Sequence, residues 1–311
     1  MENENKRAIY EKDLMTKVAC YYYIDNLTQQ KIAERIGIPR LRVIKLLEKA
    51  RQSGIIQFKI AGTRPYISTE NDIVKRFGLK DVFIVPTASS IENRNDVLAQ
   101  GAAAYIANRL PEKAFINIGY GNTTSRVLNH LANNSDTQIS FVSLTGGVNY
   151  YLPNIFSGVF NAKLYLMPAP FILSNKEMAE AVKAEPAVRE VAEMVPLSTM
   201  TIIGIGGMDK NATIVNNGMI SQKDLLYLSM KGAVGDVLCH FLDINGNQVE
   251  SPIDGRLITT SLETLAKQNN VIGVAAGENK VNAIIGALNG NFLDVLITDQ
   301  ETAELIIKRT S

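Results

Sequence analysis

Eight short apolar runs, each about as long as a β-strand, constrain the fold of this chain more than any other feature. The runs are DVFIVP, AFINIG, ISFVSLT, KLYLMP, TIIGIGG, VLCHFL, VIGVAAG and DVLITD. Stretches with helical spacing separate many of them, near residues 92–110, 122–133, 176–195, 221–230, 279–288 and 299–308. Strands that alternate with helices predict a doubly wound α/β domain with a largely parallel sheet. Several runs end in Gly, Thr or Asp, and ligands of open α/β sheets bind at the carboxyl ends of strands.

The first sixty residues have a different pattern, that of two short helices joined by a glycine turn. In LTQQKIAERIGIPRLRVIKLLEKARQSGIIQFKI (27–60), Thr28 is placed to cap a first helix, and Gly37 can adopt the left-handed conformation that ends it. Pro39 can start the second helix, because its missing N–H is harmless in a first turn. The apolar stripes are Ile32, Ala33 and Ile36 in the first helix and Val43, Leu46, Leu47 and Ala50 in the second. This arrangement predicts a helix-turn-helix. We expect KVACYYYIDN (17–26) to form the preceding helix, with its tyrosines in the core, and IIQFKI to form a wing strand.

Positive charge is concentrated in this N-terminal segment. Residues 1–64 contain thirteen Lys and Arg against seven Asp and Glu, whereas the whole chain has a net charge of +1. Basic residues of the second helix lie off its apolar stripe, where they could reach bases or phosphates in a major groove. The residues that we expect to contact DNA are Thr28, Gln29, Arg40, Arg42, Lys45 and Lys49. A small helical dimerisation domain is the alternative interpretation of this segment.

The domain boundaries follow from a change in composition. The segment AGTRPYIST (61–69) mixes Gly, Pro, Ser and Thr, as linkers do. We therefore predict a helix-turn-helix DNA-binding domain over residues 1–60, a linker over 61–70, and an α/β domain over 71–311.

A glycine-containing turn between an apolar run and a helical pattern is the first candidate ligand site. In FINIGYGNTTSRVLNHL (115–131), Gly119 and Gly121 flank a tyrosine, and Asn122, Thr123 and Thr124 follow at the predicted helix start. Neither the G-x-G-x-x-G fingerprint nor the Walker lysine is present. The remaining pattern suits a single phosphate at a helix N-terminus. Glycine after a strand is also ordinary turn chemistry, which is the competing interpretation.

Motifs in both parts of the chain occur in the order found in one protein family. The run YYYIDNLTQQKIAERIGIPRLRVIKLLEKARQSGII resembles the DNA-binding segment of the SorC/DeoR-type sugar-responsive transcriptional regulators. Effector-domain motifs of the same family resemble SLTGGVN (143–149), PAP (168–170), GIGGMD (204–209), KGAVGD (231–236), AAGENK (275–280) and ITDQETA (297–303). The resemblance covers about residues 15–310. The segments GENK, TDQ and AVGD are most similar to those of members that regulate autoinducer-2 uptake in enteric bacteria.

The resemblance implies that residues 71–311 form a Rossmann-like effector-binding and oligomerisation domain, similar to phosphosugar isomerases, that binds a phosphorylated sugar or sugar-like metabolite. Carried over, the phosphate would be held by Gly119, Gly121, Asn122, Thr123, Thr124, Thr145, Gly146 and Gly147. Lys280 would neutralise the phosphate or contact a carbonyl or hydroxyl group of the ligand, and Asp236 would accept hydrogen bonds from hydroxyl groups. Other interpretations remain open. Lys280 is alternatively a surface residue at a helix start, where the dipole disfavours a cation. Asp236 is alternatively a cap, and Thr298 and Asp299 are alternatively caps of the last helix.

The function implied by the resemblance is that of a cytoplasmic repressor of a carbohydrate or autoinducer-2 uptake operon. Its expected partners are operator DNA, a phosphorylated effector, with phospho-autoinducer-2 as one candidate, and further copies of the chain in a homodimer or homotetramer. The competing hypothesis is a sugar-phosphate isomerase with an added N-terminal domain, in which Asp236 and Lys280 would supply acid–base catalysis. Two Cys and two His argue against a disulfide framework and a metal site, and the lack of an uninterrupted apolar run of ~18 residues argues against a membrane partner. No cofactor is expected.

Overall fold

The computed structural model describes residues 2–23, 25, 27–53, 55–56, 66–88, 90–134, 138–147, 162–210 and 212–311. The chain forms two compact units, Met1–Arg64 and Pro65–Ser311. Within the described ranges we find no helix with the length and apolar character needed to cross a bilayer.

The described part of the first unit consists of three helices, α1 (Glu2–Tyr23), α2 (Gln29–Ile36) and α3 (Arg40–Gln52). At the start of α2, the Thr28 hydroxyl accepts a hydrogen bond of 3.3 Å from a backbone N–H three residues on. Gly37 ends α2 in the left-handed conformation, at φ 73° and ψ 34°. The cap and the turn predicted for a helix-turn-helix are therefore confirmed.

These helices enclose a small apolar core that contains the stripes predicted for α2 and α3. Its buried members are Leu14, Val18, Ile32, Ala33, Val43, Leu46 and Leu47, with Tyr21, Tyr22, Tyr23 and Ile36 packed against them. The tyrosines are therefore partly buried against this core, in keeping with the expectation. The wing strand predicted over residues 55–60 lies mostly outside the described residues.

Strands and helices alternate along the second unit. Its strands are β1 (Asp81–Val85), β2 (Ala114–Ile118), β3 (Ile139–Ser143), β4 (Ala162–Tyr165), β5 (Met200–Gly204), β6 (Gly206–Gly207), β7 (Gly235–Val237), β8 (His240–Leu242), β9 (Val271–Val274) and β10 (Val295–Asp299). Its α-helices are α4 (Ile67–Phe77), α5 (Ile91–Ala107), α6 (Asn122–Asn134), α7 (Lys176–Ala184), α8 (Pro186–Met194), α9 (Thr213–Asn216), α10 (Gln222–Met230), α11 (Leu262–Ala266), α12 (Val281–Asn289) and α13 (Gln300–Thr310). Seven of the eight apolar runs form strands of one sheet.

This sheet has the order β1-β10-β9-β5-β2-β3-β4, and all of its neighbouring strands are parallel. From β2 the chain winds outward through β3 to β4. It then returns to the other side of β2, where β5 is followed outward by β9 and β10. Such an order defines a doubly wound sheet whose switch point lies between β2 and β5. The predicted α/β fold class is therefore confirmed.

Both faces of the sheet are buried, because successive strand residues enter different apolar layers. Ile202 and Ile297 belong to the layer that includes residues of α5 and α6. The adjacent Ile203 and Leu296 belong to the layer that includes residues of α4, α12 and α13. Parallel strands covered on both faces read as continuous apolar runs, which is why the sequence pattern identified them.

Two of the predicted boundaries are wrong. Of the linker predicted over 61–70, residues 61–65 lie outside the described part of the chain, and Ile67 already begins α4. This helix buries Ile73 on one face, a pattern that the mixed composition of its first turn concealed. The single helix predicted over 176–195 is two helices, because Pro186 holds Glu185 in an extended conformation between α7 and α8.

The run VLCHFL is not one strand but a tight antiparallel turn. Leu238 and Cys239 both have positive φ angles, 51° and 64°, so the chain reverses between β7 and β8. With β6, these strands form a separate three-stranded sheet. In this small sheet Asp236 pairs with Gly206, which lies two residues after the end of β5. The turn thereby brings Asp236 to the carboxyl end of the main sheet.

Candidate functional site

A cleft of about 750 Å³ lies in the second unit at the carboxyl ends of β2, β5 and β9. The first two of these strands flank the switch point, where successive loops leave the sheet in opposite directions and a crevice opens between them. The described lining comes from the loop at 120–124, positions between 204 and 216, residues 236 and 238, the turn at 276–280 and the start of α5 at 94–95. The cleft therefore lies where a doubly wound fold binds its ligands.

The loop after β2 presents the N-terminus of α6 to this cleft. Gly121 has a φ of 139°, which side chains rarely adopt, and α6 begins at the next residue, Asn122. The Thr124 hydroxyl donates a hydrogen bond of 3.0 Å to the Gly121 carbonyl oxygen and so fixes the turn. Backbone N–H groups in a first helical turn have no partner within the helix and carry the positive end of its dipole. The loop has the backbone geometry that suits an anion.

Lys280 contributes a positive charge from the turn after β9. Gly277, at φ 122°, leads into the 3₁₀ turn Glu278–Lys280, and Lys280 is the N-cap residue of α12. Burial lowers the pKa of the Lys280 ammonium group, while the carboxylates of Asp236 and Asp209 act in the opposite direction. Among the described residues, no ion pair within 4.0 Å involves Lys280. A partly buried cation at the positive end of a helix is unfavourable, and a bound anion would offset that cost.

Asp236 is the buried carboxylate of the cleft, with 4% of its surface exposed. Its Oδ2 accepts a hydrogen bond of 3.0 Å from the Cys239 N–H and so holds the turn between β7 and β8. Its Oδ1 faces Gly206 so closely that a Cβ atom at that position would overlap it. Burial raises the pKa of Asp236 to about 6, although the Cys239 N–H and Lys280 lower it. Asp236 thus serves as a local cap and also lines the cleft.

Arg94 is a second cation of the cleft, and it is not among the residues predicted from the sequence. Its Nε lies 3.1 Å from Asp299 Oδ2, and a terminal nitrogen lies 2.8 Å from Glu301 Oε2. Asp299 also caps α13, because its Oδ1 accepts the Thr302 N–H at 2.9 Å. The interpretation of Asp299 as a cap is therefore confirmed, but it is incomplete. No local motif marks Arg94, since the carboxylates that hold it are more than two hundred residues away in the sequence.

Asp209 and Asn279 are two further polar residues of the lining. The Asn279 side-chain amide donates a hydrogen bond of 2.6 Å to Asp209 Oδ2. This bond joins the segment after β6 to the turn that carries Lys280. Asp209 belongs to the motif GIGGMD and Asn279 to the motif AAGENK. The two motifs therefore mark these segments in the sequence, but they do not indicate which side chain lines the cleft.

The structure brings together six of the ten residues predicted to bind the effector. Gly121, Asn122, Thr123, Thr124, Asp236 and Lys280 line the cleft, whereas Gly119, Thr145, Gly146 and Gly147 are not part of its described lining. Gly119 packs instead against the Leu238 side chain, and Gly146 packs against the backbone carbonyls of Ala169 and Pro170. Thr145 forms an isolated bridge with Thr259. Residues 148–161, which follow these glycines, lie outside the described part of the chain.

The predicted DNA-contacting residues occupy different environments in the first unit. Arg40, Arg42 and Lys45 are exposed on α3. Lys49 is also exposed, but its Nζ lies 2.9 Å from Glu11 Oε1 on α1, which neutralises part of its charge. Thr28 uses its hydroxyl as the α2 cap. The remaining residue of the set, Gln29, is partly exposed at the start of α2.

Both histidines form contacts within the protein. His130 Nε2 lies 3.3 Å from Asp96 Oδ1, and His240 Nε2 lies 3.1 Å from the Thr260 carbonyl oxygen. Burial lowers the pKa of His240. In the described ranges, no group of three His, Cys, Asp or Glu residues is placed to hold a metal ion.

Comparison with known proteins assigns the chain to a family. Residues 65–308 match the family model Sugar-bind, described as "Putative sugar-binding domain". Together with whole-chain similarity to curated regulators, this match shows that the chain belongs to the SorC/DeoR-type family of sugar-binding transcriptional regulators.

Within that family the chain is similar to proteins named transcriptional regulator LsrR. The protein from Enterobacter sp. strain 638 is 36% identical over 96% of this chain and 94% of its own length. The protein from Klebsiella pneumoniae subsp. pneumoniae is 36% identical over 98% and 95%. The crystal structure of the full-length sorbitol operon regulator SorC from Klebsiella pneumoniae has the same fold, with a TM-score of 0.71 at 24% identity, covering 95% of this chain and 98% of its own. The LsrR relatives are regulators and not enzymes, so the chain is a transcriptional regulator and the isomerase hypothesis is wrong.

Proposed function

We propose that this regulator represses a carbohydrate or autoinducer-2 uptake operon and that a phosphorylated, sugar-like effector in the cleft controls its binding to operator DNA. The observation that carries the proposal is the environment of Lys280. Its ammonium group is partly buried at a helix start, and burial lowers its pKa. It shares the cleft with the N-terminus of α6. A phosphate bound between them would neutralise the Lys280 ammonium group and would accept hydrogen bonds from the backbone N–H groups at the start of α6.

The rest of the lining suits a small polyhydroxylated molecule. A volume of about 750 Å³ is in the range of small-molecule sites. Asp236, Asp209 and Asn279 supply carboxylate and amide groups, which bind hydroxyls by hydrogen bonds. The cleft thus contains cations and helix N–H groups that could bind a phosphate, and next to them oxygen atoms that could accept hydrogen bonds from hydroxyl groups. Phospho-autoinducer-2 is one candidate effector, on the strength of the motifs GENK, TDQ and AVGD.

We assign DNA binding to the first unit, through Arg40, Arg42 and Lys45 on α3 and through the cap region at Thr28 and Gln29. In a helix-turn-helix the second helix enters the major groove, and dimers read two half-sites. We therefore propose a homodimer or homotetramer that acts in the cytoplasm, where operator DNA is found. The effector would favour one arrangement of the oligomer over another and so change how well the half-sites are matched.

The experiment that tests this function combines a ligand screen with DNA binding by the full-length protein. Phosphorylated pentoses, hexoses and polyols and phospho-autoinducer-2 are added one at a time, each beside its unphosphorylated form, and the unfolding temperature is measured. We expect one phosphorylated compound to stabilise the protein and its unphosphorylated form not to.

The same compound should release the protein from duplexes selected out of a random pool, as measured by fluorescence anisotropy. Equal stabilisation by both forms would contradict a phosphate site. If the compound instead increases the affinity of the protein for DNA, the proposal that the effector relieves repression is contradicted.

A further inference from the structure

The recognition helix α3 carries two exposed apolar side chains that the basic residues alone do not explain. Leu41 is 53% exposed and Ile44 is 36% exposed. In the described part of the first unit, the other exposed large hydrophobic residue is Tyr10, on α1. Residues three apart on a helix are surface neighbours, so Leu41 and Ile44 form one apolar patch.

This patch lies on the side of α3 that faces away from the core. The buried residues Val43, Leu46, Leu47 and Ala50 define the inner side. With 3.6 residues per turn, Leu41, Ile44 and Lys45 fall on the opposite side, and Arg40 and Arg42 flank them to left and right. The most outward part of the predicted DNA-reading surface is therefore apolar as well as basic.

We propose that Leu41 and Ile44 contact the C5-methyl groups of thymines and so select T·A pairs in the operator. This inference rests on the proposed DNA-binding function. The thymine methyl is the apolar group of the major-groove base edges, whereas guanine, cytosine and adenine present donors and acceptors there. An apolar side chain over those groups would remove their water without replacing the hydrogen bonds.

The charges around the patch favour DNA over a second copy of the chain as its occupant. Arg40, Arg42 and Lys45 flank it, against one exposed carboxylate on the same side of α3, that of Glu48, and residues 1–64 contain thirteen basic residues against seven acidic ones. Two copies of this surface would repel each other, whereas phosphates on both sides of a major groove would attract it.

The test removes single methyl groups from the DNA. Preferred duplexes are first selected from a random pool with the full-length protein. Each thymine of the selected site is then replaced by uracil, which lacks only the methyl group, and affinity is measured by fluorescence anisotropy at constant salt. We expect the loss of a contacted methyl to weaken binding by about fourfold, the ratio that burial of one such group provides.

Variants assign the sensitive positions to side chains. In Leu41→Ala the affinity difference between thymine and uracil should vanish at one position of each half-site, and in Ile44→Ala it should vanish at another. Leu41→Met, which keeps an apolar side chain, should retain part of the difference. Leu226→Ala, at a leucine of α10 that is 64% exposed, is the matched control and should leave every position unchanged. Because these side chains are exposed, unfolding temperatures should stay close to wild type.

The outcomes separate this inference from the function on which it rests. If no duplex is enriched, the proposed DNA binding fails and the inference fails with it. If a site is enriched but uracil is tolerated throughout, or if Leu41→Ala and Ile44→Ala keep the wild-type pattern, only the inference is overturned. Sedimentation would separately show whether a second copy of the chain covers the patch. If Leu41→Ala or Ile44→Ala has a different mass in solution from the wild type but keeps the wild-type response to uracil, the inference is also overturned.

Discussion

Replacement of Lys280 by methionine is the sharpest perturbation of the cleft. Methionine has a similar length and no charge, so Lys280→Met removes the ammonium group while filling much the same space. Lys267→Met is the matched control, because Lys267 is an exposed lysine whose Nζ lies 2.6 Å from Glu263 Oε1 and which does not line the cleft.

The magnitude follows from the type of contact that is lost. A hydrogen bond between a charged donor and a charged acceptor contributes about 1.5–3 kcal/mol. We therefore expect Lys280→Met to weaken binding of the phosphorylated effector by about 10- to 150-fold. Stability without ligand should change much less, because the variant loses both the desolvation of Lys280 and its attraction to Asp236 and Asp209.

Isothermal titration calorimetry with the phosphorylated compound and its unphosphorylated form measures the effect directly. If Lys280 contacts the phosphate, the variant should lose affinity for the phosphorylated form and bind the other form as the wild type does. The reasoning is refuted if Lys280→Met binds the phosphorylated form as tightly as the wild type, or if Lys267→Met loses as much.

Two further predictions concern charge in each unit. The folded-state pKa of Asp236, about 6, lies above its ordinary value of 3.8, so its stabilising contribution is present below about pH 4 and is lost as the pH rises through about 6. The free energy of unfolding of Asp236→Asn, measured with urea, should therefore rise by about 2 kcal/mol relative to that of the wild type between pH 4 and pH 7. The prediction fails if the free energies of unfolding of the two proteins change in parallel with pH. Glu11→Gln should release Lys49 from its ion pair, raise DNA affinity and steepen the slope of log affinity against log salt by about 0.9. An unchanged slope would show that Lys49 makes no phosphate contact.

The sequence predicted those features that depend on local pattern or on repeated burial. The caps at Thr28 and Gly37 need only their neighbours, and the strands of the main sheet are largely apolar because most of them are covered on both faces. The loop from Gly121 to Thr124 was identifiable because glycine and hydroxyl residues follow a strand directly.

Features that depend on distant pairing were not predictable in the same way. Arg94 enters the cleft because Asp299 and Glu301 hold it, and its own segment shows nothing unusual. The reversal at Leu238 and Cys239 was also missed, because neither residue type favours positive φ and the run reads as a plain strand. Its geometry is set by the Asp236 carboxylate, which accepts the Cys239 N–H.

The pairing of β1 with β10 has a consequence for the order in which this protein matures. Near these strands, the hydrogen bonds Tyr66–Gln300 and Arg76–Thr310 each join residues 234 positions apart. On the ribosome, the three N-terminal helices have all their described core partners early, whereas β1 must wait for the last strand to be synthesised. A nascent chain thus completes the unit that we propose reads DNA long before it completes the domain that we propose binds the effector. Premature termination before β10 would leave that first unit without the domain that we propose both joins the subunits and responds to a metabolite.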